Sequence, residues 1–260
     1  MHSNIGPWSE ANILYIDQAQ FSHRLNCKAD LVLYDIGLGI AANSIATIHH
    51  FSQLNWPRSL HIISFETDPS GLIYAVKNLE AFPFIQKHRA MLQSLLENGN
   101  YFEQYPSGNH LRWEIRNGDF RESILTTPSP DLIYYDLYSP KVSPELWGYQ
   151  SFKILNKIIS RKNSSDPSTI LITYTNSTSA RTALLLAGFH VGRGRSTPAK
   201  KETTIASNTR ENLECPLDLD WLAHWKRSSN PIPYDYPEKE ISAVAEKLKA
   251  TLLRNEETPT

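Results

Sequence analysis

The sequence predicts an α/β protein whose mostly parallel, doubly wound sheet ends in an antiparallel hairpin. Three observations carry that prediction. Short apolar runs alternate with helix-like segments from Leu31 to Leu186, the pattern left by parallel strands that are covered on both faces. The first run, Leu31-Val32-Leu33-Tyr34, passes through Asp35-Ile36-Gly37-Leu38-Gly39 into the helix-like Ala41 to Ile48, a strand, a tight turn and a helix in succession. Finally, Gly188 to Arg193 and Glu202 to Ala206 read as two strands joined by a turn-rich loop with no helix between them, so they pair antiparallel.

The elements follow in order. Ile13-Leu14-Tyr15-Ile16 and the residues to Leu25 predict a short strand and a helix, an accessory segment over residues 1–30. In the core, residues 31–207, the first strand leads to a helix ending near Leu54, Leu60 to Glu66 is the second strand, and Gly71 to Ala81 the next helix. Phe84 to Tyr105 is polar and helix-prone, with Leu92, Leu95 and Leu96 at helical spacing, and the turn Pro106-Ser107-Gly108-Asn109 introduces a third strand, Leu111 to Ile115. Asp131 to Asp136, Pro144 to Ile159, Thr169 to Tyr174 and Ser179 to Leu186 then predict strand, helix, strand and helix. Residues 208–260 form a polar linker with a Trp221-Leu222-Ala223-His224-Trp225 cluster and a charged helix from about Pro237 to Arg254, a tail expected to dock on the core.

Composition bounds the function. With 260 residues, 40% hydrophobic and 20% charged, the chain can bury one good core with appendages. A net charge of −1 gives no global basic signature, so contact with nucleic acid would rest on a local patch. Cys27 and Cys215, far apart and unlike any zinc spacing, argue against a disulfide framework or a metal site and fit a reducing compartment. The start, Met1 to Trp8, lacks a basic region followed by an apolar stretch, and no window approaches the roughly 20 apolar residues of a membrane helix. The expected location is the cytoplasm.

In doubly wound sheets, ligands bind at the carboxyl ends of the strands, and here those ends are acidic. Asp35 with Gly37 and Gly39 ends the first strand, Glu66 the second, Gly118-Asp119 follows the third, and Asp136 ends the fourth. Each acid alone is explained as a cap of the next helix. The four together suit S-adenosylmethionine, with Gly37 and Gly39 letting backbone approach the methionine part, Glu66 accepting from the ribose hydroxyls, and Asp119 pairing with the adenine amine. A nicotinamide cofactor competes, because Gly37-Leu38-Gly39-Ile40-Ala41-Ala42 meets the looser dinucleotide pattern. Asp35, which would face a pyrophosphate with like charge, and the antiparallel ending of the sheet weigh against it. In the loop Asp136 to Trp147, Asp136 can orient an amine and accept its proton, Tyr138 can supply an apolar wall or a stacking face, and Lys141 adds a cation.

Asp35-Ile-Gly-Leu-Gly, Ser64-Phe-Glu66, Asn117-Gly-Asp119-Phe, Asp136-Leu-Tyr-Ser-Pro with Pro144-Glu-Leu-Trp147, Thr173-Tyr-Thr175, Arg181 through Ala187-Gly-Phe189, and Lys200-Lys-Glu-Thr203 occur in the order found in MnmC-like methyltransferases. Over roughly Glu10 to Ala206 the chain resembles that family. The resemblance implies a class I Rossmann-like fold, S-adenosylmethionine as cofactor, and methylation of the aminomethyl nitrogen of a modified wobble uridine in tRNA. It puts the catalytic acid at Asp136 and the cofactor positions at Asp35, Gly37, Gly39, Glu66 and Asp119. Leu137 and Tyr138 replace the family's glycine and phenylalanine, nothing resembles the FAD-dependent oxidase domain of the fused members, and no FAD is expected. Met1-His2-Ser3 looks like the middle of a motif that begins further upstream in standalone relatives.

For tRNA, the candidate contacts are Lys141, Arg193 and Lys201, joined by Arg195 and Lys200 around the hairpin and by Arg161 and Lys162. Two alternatives stay open. One is a small-molecule amine methyltransferase or aminopropyl transferase on the same fold. The other is a non-catalytic Rossmann-like domain that binds nucleotide or RNA.

Overall fold

The computed structural model describes residues 6–163, 166–196 and 201–256; the expectations placed on Met1-His2-Ser3 and Lys200 lie outside these. The described residues up to Asp136 form one compact unit and those from Leu137 onward a second. The division falls inside the stretch that the sequence assigns to a single core.

The first unit opens with α1 (Gly6–Ala11), a π-helical stretch (Asn12–Asp17) and α2 (Phe21–Cys27). It continues through β1 (Asp30–Ile36), α3 (Ala42–Ser52), β2 (Ser59–Glu66), α4 (Ser70–Lys77), α5 (Arg89–Asn98), β3 (Asn100–Gln104), β4 (His110–Asn117), α6 (Phe120–Ser123) and β5 (Leu132–Tyr135). Its strands lie in the order β3-β4-β2-β1-β5. Pairing is parallel between β1 and β2, β1 and β5, and β2 and β4, and antiparallel between β3 and β4. All four residues of β5 are buried, two of them tyrosines, as expected for a strand with helices on both faces. Buried Tyr34 satisfies its hydroxyl by donating to the Pro128 carbonyl at 2.6 Å.

Register brings the acidic strand ends level. Ile36 pairs with both Phe65 and Tyr135, and Glu66 with Asn117. The ladder runs on just beyond the strands, with Gly37 N–H donating to Phe65 O at 3.0 Å, Asp136 N–H to Ile36 O at 2.9 Å and Gly118 N–H to Glu66 O at 2.9 Å. Residues far apart in sequence therefore meet at one edge because their strands end in step.

Two elements differ from expectation. Ile13–Ile16 lies in the π-helical stretch and not in a strand; it packs on α3, and a four-residue apolar run fits either period. Residues 100–104 form the edge strand β3 where helix was expected. Gly99 takes φ 72°, ends α5 and turns the chain straight into a strand whose residues alternate between exposed and half-buried. The helix expected to reach Ala81 stops at Lys77.

The second unit holds α7 (Tyr149–Ile159), β6 (Ile170–Thr173), α8 (Thr178–Leu186), β7 (His190–Gly194), β8 (Thr203–Ser207), α9 (Leu219–Trp225) and α10 (Val244–Glu256). The strand order is β6-β8-β7, and both pairings are antiparallel, so the expected terminal hairpin is present with Val191 opposite Ala206. Pro144–Trp147 makes only a 3-10 turn, because extended Gly148 separates it from α7. Residues 238–243 are likewise a 3-10 turn ahead of α10. Both cysteines are free and exposed. Among the described residues no helix is long and apolar enough to cross a membrane.

Candidate active site

Asp35 is a buried acid of the first unit, 1% exposed. Its Oδ2 accepts from Ser44 Oγ at 2.5 Å and from Ser64 Oγ at 3.3 Å, and Trp113 Nε1 donates to Ser64 Oγ at 2.9 Å. Its Oδ1 is buried with no hydrogen-bond partner among the described residues. Burial pushes the carboxyl up from 3.8 to about 7, and the charges of Asp136 and Glu66 add to the rise while the two serine hydroxyls oppose it. Such an acid is poised to release its proton when a positive charge arrives.

The turn after β1 is left-handed at Gly37 (φ 93°), Gly39 (φ 52°) and Ala41 (φ 64°), the last leading into α3. A Cβ built at Gly39 or at Gly118 (φ 108°) would meet nothing within 4 Å. The space beside both is open, as a ligand lying against backbone requires. By contrast, a Cβ at Gly71, in the first turn of α4, would sit 3.1 Å from the Gly39 carbonyl oxygen. These two glycines fit α4 closely against the turn.

Glu66 is half-buried and braced by backbone: Oε2 accepts from Gly39 N–H at 3.1 Å, and Oε1 from Thr67 and Asp68 N–H at 2.8 and 3.0 Å. Asp119 caps α6, accepting from Arg121 N–H at 2.9 Å, and forms an ion pair with the Arg121 guanidinium, which holds its carboxyl below the usual range. Asp136 is half-buried, and its Oδ2 accepts from Asn43 Nδ2 at 2.8 Å. Asn43, 8% exposed, lies in the first turn of α3 beside Ser44. The structure thus brings Asp35, Gly37, Gly39, Glu66, Asp119 and Asp136 to one strand edge. Reading the sequence missed Asn43, Ser44, Ser64 and Arg121. An amide and a hydroxyl at the start of the helix behind a glycine turn were the available signal.

In the second unit, Tyr138 is 78% exposed, while its carbonyl accepts from Trp147 Nε1 at 2.7 Å. Tyr174 donates its hydroxyl to the Leu137 carbonyl at 2.9 Å and meets Trp147 edge-on at 5.8 Å. Lys141 and Lys201 are exposed. Arg193 lies 3.6 Å from both Glu202 and Asp218, so its charge is shared with two acids. Glu202 also holds Arg181, which is buried on α8 and donates to Thr204 Oγ1 at 3.0 Å and to the Thr203 carbonyl at 2.7 Å. Arg195 and Arg161 are exposed, and Lys162 Nζ donates to the Pro167 carbonyl at 2.8 Å. Among the described residues no group of three or more His, Cys, Asp or Glu side chains could hold a metal ion.

The family model described as S-adenosyl-L-methionine-dependent methyltransferase matches residues 83–209. The tRNA 5-methylaminomethyl-2-thiouridine biosynthesis bifunctional protein MnmC of Aeromonas hydrophila is 27% identical over 247 residues, 85% of this chain and 34% of that protein. The protein of the same name from Polaromonas naphthalenivorans is 30% identical over 209 residues, 77% of this chain and 31% of that protein. The chain thus spans about a third of the length of the curated relatives it matches. The crystal structure of MnmC2 from Aquifex aeolicus shares the fold, with a TM-score of 0.68 and 22% identity over 97% of this chain and 76% of that one. With its Rossmann-like sheet and acidic strand edge, the chain is an S-adenosyl-L-methionine-dependent methyltransferase that resembles the MnmC proteins over most of its length.

Proposed function

We propose that the chain methylates the aminomethyl nitrogen of a modified wobble uridine in tRNA, in the cytoplasm, with Asp136 as the orienting acid. The observation that carries this reading is the Asn43 to Asp136 hydrogen bond of 2.8 Å, which fixes a carboxylate on the same strand edge as Asp35 and the glycine turn. S-adenosylmethionine supplies an electrophilic methyl group on a positively charged sulfur. The residues fit that cofactor: Gly39 and Gly118 leave room against backbone, Asp35 keeps a buried oxygen without a partner, and Glu66 is braced by three amides. In this reading Gly37 and Gly39 border the methionine part, Glu66 takes the ribose and Asp119 the adenine amine.

An amine must lose a proton as its nitrogen gains a methyl group, and a positioned carboxylate can both orient the nitrogen and take that proton. The Asn43 amide, which donates to Asp136 Oδ2 at 2.8 Å, orients that carboxylate. Tyr138 presents an exposed ring on which a nucleobase can stack, and Lys141, Arg193 and Lys201 supply phosphate contacts.

The test is transfer of labelled methyl from S-adenosylmethionine to tRNA carrying 5-aminomethyl-2-thiouridine, run beside tRNA without the aminomethyl group and beside free alkylamines. Label on the first tRNA alone is the expected result. Label only on free amines would replace the tRNA reading with the small-molecule one. Gly39→Val should weaken S-adenosylhomocysteine binding by about 100-fold, equivalent to about 3 kcal/mol, because a β-branched side chain at φ 52° strains the turn and also fills the open space beside it. Calorimetric titration measures this, and unchanged affinity would place the cofactor elsewhere.

A further inference from the structure

We infer that Asp235, in the segment between α9 and α10, is a positioning residue for the loop 137–148, which carries Tyr138 and Lys141. The inference rests on the reading of that loop as the acceptor side of the site.

The first amides of a helix have no partner within it and need an acceptor. The residue before α7 is Gly148, which has no side chain to offer, and no local side chain caps this helix. The acceptor comes instead from far along the chain. Asp235 Oδ1 accepts from Tyr149 N–H at 2.6 Å and Oδ2 from Gln150 N–H at 2.9 Å. A carboxylate at a helix N-terminus also gains from the helix dipole. Glycine at 148 is required by this contact, since a Cβ there would collide with the Asp235 carboxylate.

Both sides of the clamp are anchored. On the tail side, the Tyr236 ring meets Tyr149 edge-on at 5.1 Å, Lys247 Nζ donates to the Tyr236 hydroxyl at 3.0 Å, and Trp225 Nε1 donates to Thr182 Oγ1 at 2.9 Å. On the loop side, Gly148 follows Trp147, whose indole holds the Tyr138 carbonyl, while Tyr174 holds the Leu137 carbonyl. Asp235 fixes where the loop ends, Trp147 and Tyr174 fix where it begins, and the exposed Tyr138 ring is carried between them. The tail sets the geometry of the acceptor loop.

The experiment compares the full wild-type chain with Asp235→Ala, Asp235→Asn and Trp147→Phe, by steady-state kinetics on aminomethylated tRNA, titration with S-adenosylhomocysteine, and amide hydrogen exchange. Asp235→Ala should raise KM for tRNA about tenfold, the effect of losing a helix cap, with kcat and S-adenosylhomocysteine affinity within about twofold. Exchange over residues 137–150 should accelerate. Asp235→Asn, which keeps one carbonyl acceptor, should recover part of both effects. Combined with Trp147→Phe, the KM changes should be less than additive, since both loosen one loop. If wild type transfers methyl to tRNA and Asp235→Ala changes neither KM nor exchange, the inference is overturned. If wild type does not methylate tRNA, the acceptor reading fails separately. Exchange then decides the clamp: acceleration confined to 137–150 upholds it, and unchanged exchange overturns it.

Discussion

Replacing Asp136 by asparagine is expected to lower kcat for methyl transfer by about 10²–10⁴-fold, the usual contribution of a positioned proton acceptor. The amide keeps the shape and can still accept from Asn43, but it cannot take a proton from the amine. Binding of S-adenosylhomocysteine should persist, because the glycine turn and Glu66 are untouched. Asn43→Ala removes the 2.8 Å hydrogen bond that orients the carboxylate and should cost about tenfold in kcat. In the double variant the second loss should vanish, since Asn43 acts through Asp136. Single-turnover transfer to aminomethylated tRNA measures all three. Unchanged kcat in Asp136→Asn would remove this residue from the chemistry.

The second large effect concerns stability. Asp35 carries a carboxyl raised by burial from 3.8 to about 7, so between those values the folded chain binds more protons than the unfolded one. Its contribution to stability is therefore full below about pH 4, falls as pH rises, and is lost above about pH 7. The gap corresponds to about 4 kcal/mol. Asparagine at 35 is neutral at every pH and should make the chain more stable than wild type above pH 7. Its new N–H₂, placed where Oδ1 now lacks a partner, costs about 1–3 kcal/mol and reduces the gain. Urea unfolding of both chains at pH 5.5 and 8 checks this, and a stability difference that does not change with pH would refute it. The same variant should bind S-adenosylhomocysteine at least about tenfold more weakly, having lost a charge able to meet the ligand's ammonium. Stability at this position is then opposed to binding.

Much of this arrangement is written locally. Leu31 to Tyr34 and Leu132 to Tyr135 are apolar without interruption, and Leu60 to Phe65 is broken only by His61 and Ser64, because parallel strands are buried on both faces, and the acids follow where each strand runs out. Residues 100–104, Asn-Tyr-Phe-Glu-Gln, are mostly polar because an edge strand faces water, which hides it from an apolar-run criterion. Ile13 to Ile16 fails in the opposite direction, a run short enough to suit a helix on α3 as well as a strand. The acids of the site are legible by position, whereas their partners are not. Ser64 reaches Asp35 through strand pairing, Asn43 reaches Asp136 through a helix start, and Asp235 reaches α7 across most of the second unit. Those contacts depend on register and docking, which no window of sequence contains.

Gly39 and Gly71 offer a lesson about descent. The Gly39 carbonyl lies where a side chain at 71 would project, so helix α4 and the turn after β1 fit one another as matched parts. Recombination that imports α4 from a distant relative would have to bring its own turn as well, or keep glycine at the junction. A chimera joined between these positions with a larger residue at 71 would therefore push on the turn that borders the ligand.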